Sequence, residues 1–178
     1  MSEAERINLI RGIAKALKYI HDDILEGSIV HGSLSMDSVV VDADGSPKLT
    51  NFEFSCQYQH TDNPLRAPVL HAPPLASSPT RWDAPELFQD VSDSRAPFPT
   101  RYTDLWSLGS LIVFVFSCEL PYAQSQLPGA IASLMNGEKP YAESDCPPKI
   151  GDLAKSLWEE VPYQRYSASK VLELIDGL

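Results

Sequence analysis

Residues 30–55 read VHGSLSMDSVVVDADGSPKLTNFEFS. Two runs, Val39-Val40-Val41 and Pro47-Lys48-Leu49-Thr50, flank Asp42-Ala43-Asp44-Gly45. β-Branched residues on either side of an Asp-Gly turn predict a β-hairpin. The acidic residues Asp42 and Glu53 invite comparison with a calcium loop, but the glycine stands at the fourth place of that frame rather than the sixth, so the hairpin is the better reading. Ahead of it lies Ile29-Val30-His31, short and apolar, and then a run with hydroxyls at Ser33, Ser35 and Ser38.

Outward from this stretch the pattern is helical. Ile7, Ile10, Ile13, Ala14, Leu17 and Ile20 recur at spacings of three and four, which predicts a helix over residues 3–21, with Ser2 and Glu5 as a capping box. From Asn51 to about Pro99 periodicity is lost and prolines accumulate, which predicts a long loop holding one short helix near Pro85–Phe88. Leu105–Leu120, LWSLGSLIVFVFSCEL, is too short to span a bilayer and predicts a helix buried all round. Further helices are predicted at Gln126–Met135, closed by Asn136-Gly137, at Ile150–Glu159, and at Ala168–Leu174 with Ser167 as N-cap.

The chain has 178 residues, 43% of them hydrophobic and 21% charged, as expected of one globular domain. Its net charge of −10 opposes binding to nucleic acid or to an anionic membrane surface. Cys56, Cys118 and Cys146 are widely spaced and form no zinc pattern; the expectation is three reduced thiols in an intracellular, cytoplasmic protein. The N-terminus shows no secretory signal. His60, Asp62 and His71 match no standard metal spacing, and Ser33 beside His31 lacks the nucleophile elbow of a hydrolase.

In chain order, the leading helix, residues 30–55, a proline-rich loop, WDAPEL at 82–87, YTDLWSLGSLIVFVFSCELPY at 102–122 and VPYQRYSASKVLELI at 161–175 resemble the large lobe of a eukaryotic protein kinase. The His-Gly pair and the PYQRYSA ending are most similar to fungal tyrosine-kinase-like and Ser/Thr kinases. The resemblance implies a mostly α (α+β) fold: a kinase large lobe with one small β-hairpin and the N-terminal lobe absent. It divides residues 1–178 into a leading helix and entry (1–30), a catalytic-loop and metal-motif hairpin (31–53), an activation-like segment (54–100) and a helical subdomain (101–178). It also implies structural roles. Glu86 of Ala84-Pro85-Glu86 would pair with Arg165, and Asp104 would hold the catalytic-loop backbone while serving as a simple N-cap. His31 and Phe52 would belong to a hydrophobic spine, Phe52 as a core aromatic.

The chemical motifs depart from the family. Its catalytic loop reads His-Arg-Asp-Leu-x-x-x-Asn; here it is His31-Gly32-Ser33-Leu34-Ser35-Met36-Asp37-Ser38. The resemblance puts Ser33 where the family has its catalytic Asp, and a serine hydroxyl is no base at neutral pH. Ser35 stands for the Lys that faces the transferred phosphate and Ser38 for the metal-holding Asn. Asn51-Phe52-Glu53 stands for Asp-Phe-Gly, so the magnesium carboxylate is a neutral amide and a conformationally free glycine is a glutamate. No Gly-rich loop or Val-Ala-x-Lys strand precedes residue 31. Ser77, Ser78 and Thr80 fall in the activation-loop position, but Gly32 replaces the Arg that would receive a phosphate.

The expectation is therefore a catalytically inactive interaction or scaffolding module. No cofactor or metal is expected; ATP and magnesium would enter only if the family activity survives. A protein partner would dock on the helical subdomain, or on the apolar roof formed by the hairpin, His31 and Phe52. The alternative is a fragment of a longer protein kinase that transfers phosphoryl groups from ATP to Ser, Thr or Tyr.

Overall fold

A computed structural model describes residues 1–25, 27–59, 69–71, 78–88, 98–141 and 146–177. The predicted first helix is α1, Glu3–Lys18, and Ser2 and Glu5 exchange the two hydrogen bonds of a capping box. Its apolar stripe, Ile10, Ile13, Ala14 and Leu17, is buried. The α-helical pattern does not run to residue 21: from Tyr19 to Asp23 the chain widens into a π turn.

Three short strands follow: β1, Ser28–Val30, then β2, Val39–Val41, and β3, Pro47–Leu49. β2 and β3 form the predicted antiparallel hairpin in the register Val39↔Leu49, Val40↔Lys48, Val41↔Pro47. Asp42 closes the turn by accepting from the Gly45 amide at 2.9 Å, and Gly45 takes φ +84°. The loop predicted from residue 51 onward contains two strands that sequence reading did not anticipate. β4, Cys56–Tyr58, lies between β1 and β5, Val69–His71, in a second, antiparallel sheet. The short helix at Pro85–Phe88 is a 3-10 turn.

The core is built around α2, Arg101–Ser117. Thr103 through Val113 are all buried, so this helix is enclosed on every side over three turns. It stops where Cys118 adopts a left-handed conformation, φ +59°. α3, Leu127–Met135, ends at Asn136 as predicted, and Gly137 at φ +82° turns the chain away. α4, Pro148–Leu157, packs on α2 through Gly109: a Cβ there would lie 2.7 Å from Trp158 Nε1 and 3.0 Å from Leu157 Cβ. α5, Ala168–Asp176, is capped by the Ser167 hydroxyl, which accepts from the Lys170 amide, and packs along α1 with Arg11 Nε 2.8 Å from Asp176 Oδ1. Among the described residues no helix is long and apolar enough to cross a membrane.

Candidate functional site

His31 to Ser38 lies between the hairpin and the start of α2. Asp104 organises it from below. Its Oδ2 accepts from the His31 amide at 2.8 Å and lies 2.8 Å from His21 Nε2, and its Oδ1 accepts from the Gly32 amide at 3.0 Å. Asp104 and His21 are both buried, so this carboxylate is matched by three polar partners rather than by water. The N-cap reading of Asp104 is corrected: Thr100 opens α2, and Thr103 Oγ1 accepts from the Thr100 amide at 3.0 Å. His21 was missed as a site residue. It follows Leu17 and Ile20 at spacings of four and one, on the buried side of the leading helix, and that phase was its only sequence signal.

His31 does not form part of an exposed roof. It is fully buried, with Nε2 2.8 Å from the Thr50 carbonyl oxygen. The Phe52 ring does stack on it, centroids 4.7 Å apart and tilted by 50°, but Phe52 is 39% exposed and so is not a core aromatic. Val40 and Val41 in the hairpin are also exposed, by 48% and 56%, on opposite faces of β2.

At the motif positions the hydroxyls of Ser35 and Ser38 and the amide of Asn51 are already engaged. Ser38 Oγ is buried; it donates to the Ser35 carbonyl and accepts from the Ser35 amide, both at 2.9 Å. Ser35 Oγ accepts from the Asp37 amide at 3.3 Å. Asn51 Nδ2 donates to the Asp37 carbonyl at 3.1 Å. It is Asn51, at φ 63°, that takes the left-handed conformation; Glu53 sits in an ordinary 3-10 turn over Phe52–Phe54, so the backbone constraint expected at Glu53 lies two residues earlier. Gly32 has φ +78°, and a Cβ there would fall 2.3 Å from the Phe54 carbonyl oxygen. A magnesium ion needs carboxylate and phosphate oxygens. The residues here offer instead a buried, doubly bonded serine and a neutral amide tied to the backbone, so they do not fit the metal. Among the described residues no group of three His, Cys, Asp or Glu side chains converges. His60, Asp62 and Ser77 lie outside the described residues, as does the side chain of His71.

Behind the site, Arg165 is buried and places Nη1 and Nη2 2.6 and 2.9 Å from the Glu86 carboxylate oxygens. Its Nη1 also donates to the Tyr102 carbonyl and its Nε to the Glu159 carbonyl, each at 2.9 Å, and its guanidinium lies over the Trp106 ring. Thr80 is not a free hydroxyl: Oγ1 donates to Asp83 Oδ1 at 2.8 Å, while burial raises the Asp83 carboxyl above its ordinary range. Arg81, unremarked in the sequence, donates to the carbonyls of Pro121, Tyr122 and Ser125 at 3.0–3.2 Å and ties this segment to the turn after α2.

A family model, protein tyrosine and serine/threonine kinase, matches residues 1–175. The chain belongs to the protein tyrosine and serine/threonine kinase family. Among relatives in this kinase family, the mitogen-activated protein kinase kinase kinase mkh1 of Cytospora mali is 26% identical over 93% of this chain and 8% of its own length. Serine/threonine-protein kinase PAK 5 of Rattus norvegicus is 30% identical over 68% of this chain and 14% of its own. Mitogen-activated protein kinase kinase kinase 5 of Arabidopsis thaliana is 30% identical over 97% of this chain and 22% of its own. The chain thus spans less than a quarter of these kinases.

Proposed function

We propose that this chain is a catalytically inactive protein-kinase-like domain that works by binding another protein. The observation that carries the reading is the state of the motif positions. Where the kinase family places its general base, its phosphate-facing lysine and its two metal ligands, this chain has Ser33, Ser35, Ser38 and Asn51. Ser38 and Asn51 are, in addition, turned into hydrogen bonds that hold the loop itself. The framework around them is kept: Asp104 still anchors the loop and Arg165 still grips Glu86. A chain that specifies the scaffold and not the chemistry is suited to recognition.

The test is a thermal-shift titration with ATP, with and without Mg²⁺ or Mn²⁺. A ligand that binds only the folded state stabilises it by about 2.7 kcal/mol at a hundredfold excess over Kd. A cooperative melt that nucleotide leaves in place agrees with the proposal. A metal-dependent rise of the midpoint would sink it.

A second reading is favoured by one observation. Val40, Val41 and Phe52 are large apolar side chains left exposed in and beside the hairpin, and exposed apolar surface of this kind is often covered in use. On this reading the 178 residues are part of a longer protein kinase, and the cover is another part of that chain. Absence of a cooperative melt from the isolated chain would favour it.

A further inference from the structure

The turn after α3 and the end of α4 enclose a groove of about 790 Å³, within the range of ligand-holding clefts. None of residues 31–53 lines it. Tyr141 and Trp158 contribute stacked rings, 5.9 Å between centroids and 23° between planes. Both rings are fixed. Tyr141 Oη donates to the Glu119 carbonyl at 2.7 Å, and Trp158 is buried against Gly109 of α2. Trp158 is thus a buried backing, and the half-buried Tyr141 ring held against it presents a preformed surface with little ordering cost to a ligand.

The rim is acidic. Glu138, Glu159 and Glu160 line the groove and are exposed. The two lysines of the same groove offset these acids only in part: Lys139 Nζ, 5.6 Å over the Trp106 ring, pairs with Glu160 at 4.0 Å, while Lys155 Nζ is 3.5 Å from Asp152. Arg165, directly behind, spends its guanidinium on Glu86 and gives only its Nε to the Glu159 backbone. No ion pair engages the side chains of Glu138 or Glu159 among the described residues.

We infer that this groove is a docking site for an arginine-bearing extended segment of a partner protein. A guanidinium suits both parts of the groove: its flat face stacks on an aromatic ring, and its fork of donors matches a carboxylate. A neutral apolar peptide would leave Glu138 and Glu159 without a counter-charge, and an acidic one would meet repulsion from the groove and from a chain of net charge −10. The inference deepens the binding-module reading and rests on it.

The probe is a fluorescein-labelled nonapeptide of glycine and serine with three arginines, read by fluorescence anisotropy at low and high salt, beside versions carrying glutamate or leucine instead. Two variants of equal net charge are compared. One carries Glu138→Gln, Glu159→Gln and Glu160→Gln. The other carries Glu3→Gln, Asp44→Asn and Glu173→Gln, three exposed acids away from the groove. All six changes are on the surface, and far-ultraviolet circular dichroism checks that both variants fold. The expected result is arginine-peptide binding that weakens about tenfold in the groove variant and is unchanged in the control. Equal weakening of both variants shows charge attraction without a site and overturns the groove assignment while leaving the binding-module reading in place. Absence of arginine-peptide binding also overturns the groove. Failure of the parent reading shows separately, as a metal-dependent ATP shift, which this peptide assay does not register.

Discussion

Arg165 and Glu86 meet as a two-pronged pair, Nη1 to Oε1 at 2.6 Å and Nη2 to Oε2 at 2.9 Å, although 79 residues separate them in the chain. The arginine is the buried partner and the glutamate reaches it from the 3-10 turn at Pro85–Phe88. Removing the carboxylate leaves a guanidinium enclosed without its counter-charge. Glu86→Ala is therefore expected to destabilise the fold by about 3–5 kcal/mol, measured by urea denaturation. Arg165→Lys is expected to recover only part of the wild-type stability, because an ammonium cannot make the paired contact. A loss below about 1 kcal/mol for Glu86→Ala would show that solvent takes over the carboxylate's role.

Asp104→Ala removes the acceptor shared by the His31 amide, the Gly32 amide and His21. Unpaired buried donors are costly, and the expected loss is about 3 kcal/mol or more. Asp104→Asn keeps one acceptor oxygen and is expected to lose less. Hydrogen exchange at the His31 and Gly32 amides, resolved by NMR, should speed up in both variants, and most in the alanine one.

Gly32→Arg writes the family's residue back into this loop. At φ +78°, with the Phe54 carbonyl 2.3 Å from the new Cβ, the substitution is expected to lower stability by about 1–3 kcal/mol. Differential scanning calorimetry on the two proteins decides the point; an unchanged midpoint means that the loop relaxes freely.

Cys56 is buried, and burial raises its thiol from an ordinary 9.0 to about 11. At pH 8 its thiolate fraction is then about a hundredfold below that of a free thiol. Iodoacetamide should label exposed Cys118 and spare Cys56 in the folded chain, as mass spectrometry of the digest would reveal. The stability consequence follows from the same shift. Between pH 9 and about 11 the unfolded chain releases a proton that the folded chain keeps, so stability falls as pH rises through that window. Burial raises the hydroxyls of Tyr58, Tyr122 and Tyr141 above their ordinary 10.0 as well, so from about pH 10 upward they add to the same loss. Cys56→Ala should flatten the first part of that fall in urea midpoints.

What the sequence made legible and what it hid have separate physical reasons. Helices announce themselves by repeated spacing, and α1, α2, α3, α4 and α5 all stand within a few residues of their expected places. The hairpin was legible because Val39–Val41 and the Asp-Gly turn agree with each other. The other sheet was not, because strands of three residues, such as Cys56–Tyr58, are too short to show alternation and draw their partners from distant segments. The pairing of Glu86 with Arg165 could be expected from motif order. His21, which meets Asp104, lies within the π turn at Tyr19–Asp23, a local widening that leaves no mark in composition. Nor did the sequence show that Ser38 and Asn51 are occupied in holding their own loop; that needed the positions of the backbone groups they bond.

The packing of α1 against α5 has a topological consequence. Arg11 meets Asp176 near the last turn of α5, and Glu3 lies eight residues earlier on a helix that rises about 1.5 Å per residue. The two ends of the described chain are thus separated by little more than the length of one short helix. A linker of a few flexible residues could join them, and a circular permutant reopened at the exposed turn of Asp44-Gly45 should retain the native helices. For the same reason this unit could be spliced into a loop of a host protein with both junctions on one side, so that host and guest keep their own folds.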